Sequence, residues 1–179
     1  MFGFLKRQAS KKELNKSVDN FKKTWEMDLN SIWEITDKNQ FLIAMNGWLC
    51  RKCNYGDDIE RLSDEEKIFY VNNLLETEVN NGGFSQFLYN SSGNFANDVI
   101  PSLLTIGATK TAEICKEAFA VLGQSLPNNT EERENLLDGI MTDEIDEKLS
   151  KYDADFYEYP DQLEELNYQF IIRHKEQFS

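Results

Sequence analysis

The sequence predicts an all-α fold with roughly seven to nine helices, and two observations carry that prediction. Apolar residues recur three and four positions apart through most of the 179-residue chain, which is the spacing of one helix face. No segment alternates apolar and polar residues long enough to indicate a central strand, and only three prolines and nine glycines interrupt the pattern. We expect a single domain over residues 13–179, preceded by a flexible basic arm at residues 1–12.

The first predicted element is a long amphipathic helix, in which the apolar residues from Leu14 to Ile32 are spaced three or four apart. A polar break at residues 36–39 separates it from a second helix, which carries the apolar residues from Phe41 to Leu49.

Ser63 is predicted to begin the next helix through a capping box. Its hydroxyl can accept the backbone N–H of Glu66, and the Glu66 carboxylate can accept the N–H of Ser63 in return. The run Asn80-Asn81-Gly82-Gly83 is expected to end this helix, because glycine and asparagine tolerate the left-handed conformation of a C-cap.

Shorter apolar patterns predict the remaining helices. These are expected at residues 84–90, 97–106, 109–122 and 145–152. Thr130 is expected to cap a further helix that carries Leu136 and Leu137. Residues 157–160 are predicted to be extended, and a final helix is predicted to begin at Asp161.

The charge of the chain is strongly acidic and unevenly distributed. The formal net charge is −13, with 32 acidic and 19 basic residues. Residues 1–55 carry ten bases and six acids, whereas residues 131–165 carry fourteen acids and only three bases. Direct nucleic-acid binding is disfavoured because such a domain repels phosphates, and a basic protein partner is favoured.

Helical spacing is expected to align many of these acids into surface rows, because residues three or four apart are neighbours on a helix. Asp57, Asp58 and Glu60 could add to them. The predicted partner-binding residues are Glu131, Glu132, Glu134, Asp138, Asp143, Asp146, Glu147, Glu158, Asp161 and Glu165. Glu158, Asp161 and Glu165 belong together only if that stretch is helical.

No metal, cofactor or catalytic site is expected from the sequence. Cys50, Cys53 and Cys115 are an odd number, which argues against a disulfide framework, and too few ligands accompany them for zinc. His174 is the single histidine, and no recognised catalytic motif is present. The N-terminus lacks the pattern of a signal peptide and no run is long enough to span a bilayer, so a cytoplasmic protein is expected.

Residues 78–93, EVNNGGFSQFLYNSSG, form an unusual run that we term the signature segment; LLTIGA follows at residues 103–108. Together they resemble the signature of a bacterial family of all-α domains, and the resemblance covers roughly residues 60–125. The named representative of that family is an acidic, dimeric DNA-mimic protein. The resemblance therefore implies a non-catalytic DNA mimic and a possible homodimer. Trp25, Trp33 and Trp48 could supply an apolar interface for it, although burial in the core is favoured for these residues.

The signature segment itself is interpreted as structural. Its glycines permit a tight turn, its phenylalanines fill the core, and its amides are expected to bond the backbone of the loop. The residues assigned to it are Asn81, Gly82, Gly83, Phe84, Gln86, Phe87, Asn90 and Gly93.

Three hypotheses for the function stay open at this point. The first is a DNA mimic that presents helix-borne carboxylates to a basic DNA-binding protein. The second is an inhibitor or immunity-type binder of a basic toxin or nuclease, which would use the same acidic rows. The third is a small-molecule or enzymatic site at Asn81, Phe84, Gln86 and Asn90; a concave polar pocket there would favour it.

Overall fold

The computed structural model describes residues 16–179, and within that range it is all-α, as predicted. The predicted arm at residues 1–12 lies outside the described residues. Helix α1 covers residues 16–25 of the described part. The other eight helices are α2 (Leu29–Trp33), α3 (Lys38–Lys52), α4 (Asp64–Tyr89), α5 (Ala96–Ile106), α6 (Thr109–Ala120), α7 (Thr130–Ile140), α8 (Asp143–Tyr157) and α9 (Leu163–Arg173). None of the helices in residues 16–179 has the length and apolar character needed to cross a membrane.

The chain packs as two compact units, so the prediction of one domain over residues 13–179 stays a prediction. The first unit contains the described residues up to Leu62, together with Ser179, and the second contains Ser63–Phe178.

The single long helix predicted at the start of the first unit is wrong, because the chain breaks between α1 and α2. Asp28 is responsible: its carboxylate accepts the backbone N–H of Ser31 at 3.1 Å and caps α2. Arg51 of α3 donates to the carbonyls of Trp25 and Met27 at the break. These bonds satisfy carbonyls that a continuous helix would have paired internally.

The second unit is built around α4, which begins at the predicted capping box. The Ser63 hydroxyl accepts the N–H of Glu66 at 3.1 Å, and the Glu66 carboxylate accepts the N–H of Ser63 at 2.8 Å. Helices α5, α7, α8 and α9 all contact α4, and α6 packs on α5 and α8. Helix α4 therefore positions both of the acid-rich helices, α7 and α8.

Three boundaries around those helices differ from the prediction. Asn129, not Thr130, caps α7, and its side chain accepts the N–H of Glu132 at 3.1 Å. Helix α8 runs to Tyr157, and Tyr159 turns the chain with φ +47°, so residues 157–160 are not extended. Helix α9 begins at Leu163, not at Asp161.

Candidate partner-binding surface

The signature segment bends α4 sharply instead of ending it. Gly82 and Gly83 interrupt the helical dihedrals, with φ −166° and +75° respectively, and the helix resumes at Phe84. The backbone N–H of Phe84 donates to the Asp153 carboxylate of α8 at 2.7 Å. Asp153 therefore caps the resumed helix from 69 residues away in sequence. A Cβ atom on Gly83 would lie 2.3 Å from Asp153 Oδ2, so glycine makes this approach possible.

A second contact from α8 accompanies this cap. The Ser85 hydroxyl donates to Asp146 at 2.9 Å. Burial raises the pKa of the Asp153 carboxyl, the N–H of Phe84 opposes that rise, and the charge of Asp146 adds to it. Helix α8 is thus fixed to the bend through two of its own carboxylates.

The amides of the signature segment were predicted to bond the backbone of the loop. Two of them instead donate to the carboxylate of Glu78, which lies in α4 before the bend. Gln86 and Asn90 donate to the same oxygen of Glu78, at 2.7 and 2.8 Å. Asn81 is exposed. Sequence reasoning missed Glu78 because acidic residues are too common in this chain to single one out.

The two phenylalanines of the segment are fully buried, as Phe84 and Phe87 are both 0% exposed. The ring of Phe119 in α6 lies 6.0 Å from each of them, centre to centre, and Phe156 of α8 lies 5.9 Å from Phe84. Offset and edge-on aromatic pairs at such distances stabilise a core. These rings join the bend to α6 and α8.

The end of the segment receives a buried arginine from α7. Arg133 is 0% exposed, and its guanidinium donates to the carbonyls of Leu88 and Asn90 at 2.6 and 2.7 Å and to the Asn94 side chain at 2.7 Å. Burial lowers the pKa of Arg133, and Glu134 opposes that shift. Gly93 lies directly against this side chain. The sequence contained one signal for this contact: Arg133 lies four positions before the apolar Leu137, and so on the same face of the helix.

The inner side of the segment is filled, because Phe84 and Phe87 are 0% exposed. The surface grooves that residues 64–68, 96–126 and 121–155 help to line contain no residue of the signature segment. A packed bend counts against the third hypothesis. In the part of the chain that the structure describes, no three His, Cys, Asp or Glu side chains are placed to hold a metal ion.

Most of the predicted acidic residues lie exposed on α7 and α8 or just after α8, and Glu144 joins them. The two helices are joined by only Met141 and Thr142. We call this set the acidic surface, and its members are Glu131, Glu132, Glu134, Asp138, Asp143, Glu144, Asp146, Glu147 and Glu158.

The third predicted row does not exist as a helix face. Glu158 follows α8, Asp161 lies in a loop and Glu165 lies in α9. Asp161 is half-buried and accepts the N–H of Thr111 at 2.8 Å, at the N-terminus of α6. Glu165 is half-buried and accepts a bond from Gln169. We therefore leave Asp161 and Glu165 out of the acidic surface.

The basic residues of this region offset little of the exposed charge. Arg133 is buried beneath α7, and Lys148 is paired with Glu144 at 2.7 Å on α8. Lys151 is exposed. The outward charge of α7 and α8 is therefore predominantly negative.

Comparison with known protein families shows which family this fold belongs to. The family model described as DMP19-like protein matches residues 60–174, which include the whole of α4 to α9. The chain belongs to the DMP19-like family. This DMP19-like family is a DNA mimic protein family, which confirms the resemblance inferred from the signature segment. No curated protein and no solved structure matches the chain.

One further carboxylate of this DMP19-like protein is electrostatically unusual. Glu76 of α4 is half-buried beside Tyr159, whose hydroxyl also accepts a bond from Asn80 at 2.6 Å. Burial raises the pKa of Glu76, the hydrogen bond from Tyr159 opposes that rise, and the charge of Glu164 adds to it. Above its raised pKa, the ionised Glu76 is less favourable in the folded than in the unfolded chain.

Glu76→Gln is expected to change how stability depends on pH. A raised carboxyl pKa means that the folded state binds the proton more tightly, so this contribution to stability is lost as pH rises through the folded pKa. Relative to the Gln variant, the wild type should therefore gain stability as pH falls from 7 towards the ordinary value of 4.5. Urea unfolding across that range measures the difference, with Glu117→Gln on exposed α6 as the control. Parallel curves for wild type and Glu76→Gln would contradict the expectation.

Proposed function

We propose that the chain is a cytoplasmic, non-catalytic DNA mimic that presents the acidic surface to a basic DNA-binding protein. The observation that carries the proposal is the direction of the charges: carboxylates face solvent along α7 and α8, while Arg133 is buried beneath them. A surface that served solubility alone would have cations interspersed throughout its acids, whereas α7 exposes none and α8 exposes only Lys148 and Lys151. Membership of a DNA mimic family supports the same function.

The mechanism is competition for the partner's basic residues. Duplex DNA carries one negative charge per roughly 1.7 Å of axis, and a DNA-binding protein contacts only part of that array. At 1.5 Å per residue, α7 and α8 are about 16 and 22 Å long, so their carboxylates form rows on that scale. Lysine and arginine side chains of the partner would pair with these carboxylates in place of phosphates.

The helices that bear the acidic surface are held in place before any partner binds. Asp153 and Asp146 fix α8 to the bend, and Arg133 fixes α7 to the end of the signature segment. Rows that are already ordered lose less conformational entropy on binding, which favours affinity.

The homodimer implied by the family resemblance remains part of the proposal. Trp25, Trp33 and Trp48 are each half-buried in the first unit. Phe21 of α1 is 51% exposed and stacks on Trp25, with 5.6 Å between ring centres. These aromatic residues are the apolar surface we propose for self-association.

A salt-gradient capture experiment tests the proposal. The protein is immobilised and exposed, at low salt, to the fraction of a bacterial lysate that binds DNA–cellulose. We expect retention of at least one protein and its release as salt rises, because exposed charge pairs are screened. Free duplex DNA should release the same protein, since both would occupy one basic surface.

Single charge reversals provide the matched comparison for this experiment. Glu134→Lys lies on the acidic surface, and Glu117→Lys changes an exposed acid on α6. Only the first should lower the salt concentration needed for elution. The proposal of DNA mimicry is wrong if no protein is retained at low salt, or if elution of the retained protein does not depend on the salt concentration. A retained protein that DNA does not displace would instead identify a binder of another basic protein, such as a toxin or nuclease.

A further inference from the structure

Arg133 lies beneath the acidic surface. In the hydrogen bonds that the structure shows, its guanidinium donates only to neutral groups. Its guanidinium donates to three backbone carbonyls, those of Leu88, Asn90 and Pro127, and to the side-chain oxygen of Asn94. Carbonyls at fixed positions accept the planar fork of an arginine in one orientation. The contact therefore specifies geometry in addition to charge.

Gly93 makes room for this contact. A Cβ atom at residue 93 would lie 2.6 Å from Arg133 Nε and 2.7 Å from the Leu88 carbonyl oxygen. The second of these is a backbone atom and cannot rotate away, so a larger residue would displace the guanidinium or the turn. The end of the signature segment thus forms a receptor for one side chain of α7.

Arg133 makes most of the side-chain hydrogen bonds that attach α7 to residues 88–94. Thr130 donates one further bond to Asn94 at 2.9 Å, and Asp138 accepts one from Tyr89 at 3.3 Å. Only two of its side chains are fully buried, Arg133 and Leu137. They are four residues apart and so lie on one face, which turns Glu131, Glu134 and Asp138 towards solvent. Without Arg133, α7 would be held by Leu137, by the half-buried Leu136 and Ile140 and by two peripheral hydrogen bonds, and it would rotate or fray more readily.

We propose that Arg133 is a positioning residue for partner binding, with residues 88–94 as its receptor. It sets the rotation and register of α7, and through them the arrangement of the carboxylates that the partner contacts. This inference rests on the proposed function. It goes beyond it by assigning the specificity of the acidic surface to a buried cation and to the segment that binds it.

Two binding probes distinguish an effect on the arrangement of the carboxylates from an effect on the net charge of the chain. One is the DNA–cellulose-binding fraction described above, whose folded proteins present their basic residues in fixed positions and should respond to the arrangement of the carboxylates. The other is a deca-arginine peptide, which responds mainly to net charge. The variants are Arg133→Met and, as a control with the same loss of charge, Arg173→Met on an exposed part of α9.

We expect Arg133→Met to weaken retention of the DNA-binding fraction about tenfold, and Arg173→Met to leave it unchanged. Deca-arginine should bind both variants at least as well as the wild type, because each has lost a positive charge. Gly93→Ala keeps the charge of the chain, and it decides the matter if Arg133→Met does not fold. Equal weakening for both probes would contradict positioning.

Hydrogen exchange tests the positioning directly, without a partner. Arg133→Met or Gly93→Ala should raise amide exchange in α7 at least about tenfold and leave α8 near its wild-type rate. Unchanged exchange in α7 overturns the inference, whatever the capture experiment shows. If α7 responds as expected but the wild type retains no DNA-binding protein, the proposed function fails and the role of Arg133 in partner binding fails with it.

Discussion

Gly83→Ala is expected to lower the free energy of unfolding by about 3 kcal/mol, from two separable causes. The backbone at Gly83 has φ +75° and ψ −175°, a region essentially restricted to glycine, which costs other residues about 1–3 kcal/mol. The added Cβ would also lie 2.3 Å from Asp153 Oδ2 and would displace the carboxylate that caps Phe84. Loss of a helix cap costs about 0.5–2 kcal/mol. Urea unfolding measures the sum.

Gly123→Ala is the control that separates these causes. Gly123 has φ +70°, but a Cβ there would have no neighbour within 4 Å. Its replacement therefore reports the strain of a positive φ without a steric contact, and the excess loss in Gly83→Ala reports the contact with Asp153 together with the strain of its ψ of −175°. Equal losses in the two variants would show that the approach of α8 to the bend contributes nothing to stability.

The sequence predicted a helix boundary correctly where residues close to one another in the chain determine it. The capping box at Ser63 and Glu66 is present as predicted, since both of its bonds join residues three apart. The break between α1 and α2 was missed because apolar spacing continues across it. There Asp28 caps α2 and Arg51 takes the freed carbonyls, which apolar periodicity does not register.

The site was less predictable, because its decisive contacts join distant residues. A count of charges treats all acids of residues 131–165 as equivalent. The structure separates those that cap distant helices from those that face solvent. Asp153 and Asp161 cap helices at Phe84 and Thr111, from 69 and 50 residues away, whereas Glu131 and Glu134 face solvent. No local spacing distinguishes an acid that caps a distant helix from one that is exposed.

The signature segment and the acidic helices, which are separate in sequence, form one construction. Asp153 and Asp146 attach α8 to the bend, and Arg133 attaches α7 to the turn that follows it. The segment contains no acidic residue after Glu78, yet it determines where the acids of α7 and α8 lie. Under the proposed function, these attachments explain how a signature without surface carboxylates can accompany a DNA mimic.

Reversing three charges of the acidic surface is expected to weaken partner binding roughly a hundredfold or more. The variant is Glu134→Lys, Glu147→Lys and Glu158→Lys, which places cations where the partner's basic residues would bind. Each reversal replaces an attraction with a repulsion, and a total of about 2.7 kcal/mol corresponds to a hundredfold change. Glu134 and Glu147 lie beyond the first turn of their helices and Glu158 follows the end of α8, so the helix dipole gives no reason for unfolding. Titration calorimetry or surface plasmon resonance with the retained protein measures the change.

The matched control carries the same reversals at exposed acids elsewhere: Glu26→Lys, Glu117→Lys and Glu176→Lys. Both variants change the net charge from −13 to about −7, so any effect of total charge on long-range attraction is the same in the two. A specific surface predicts the large loss only for the residues on α7 and α8 and just after α8. If the control weakens binding equally, the partner responds to the overall charge of the chain, and the arrangement of the carboxylates on these helices has no role in recognition.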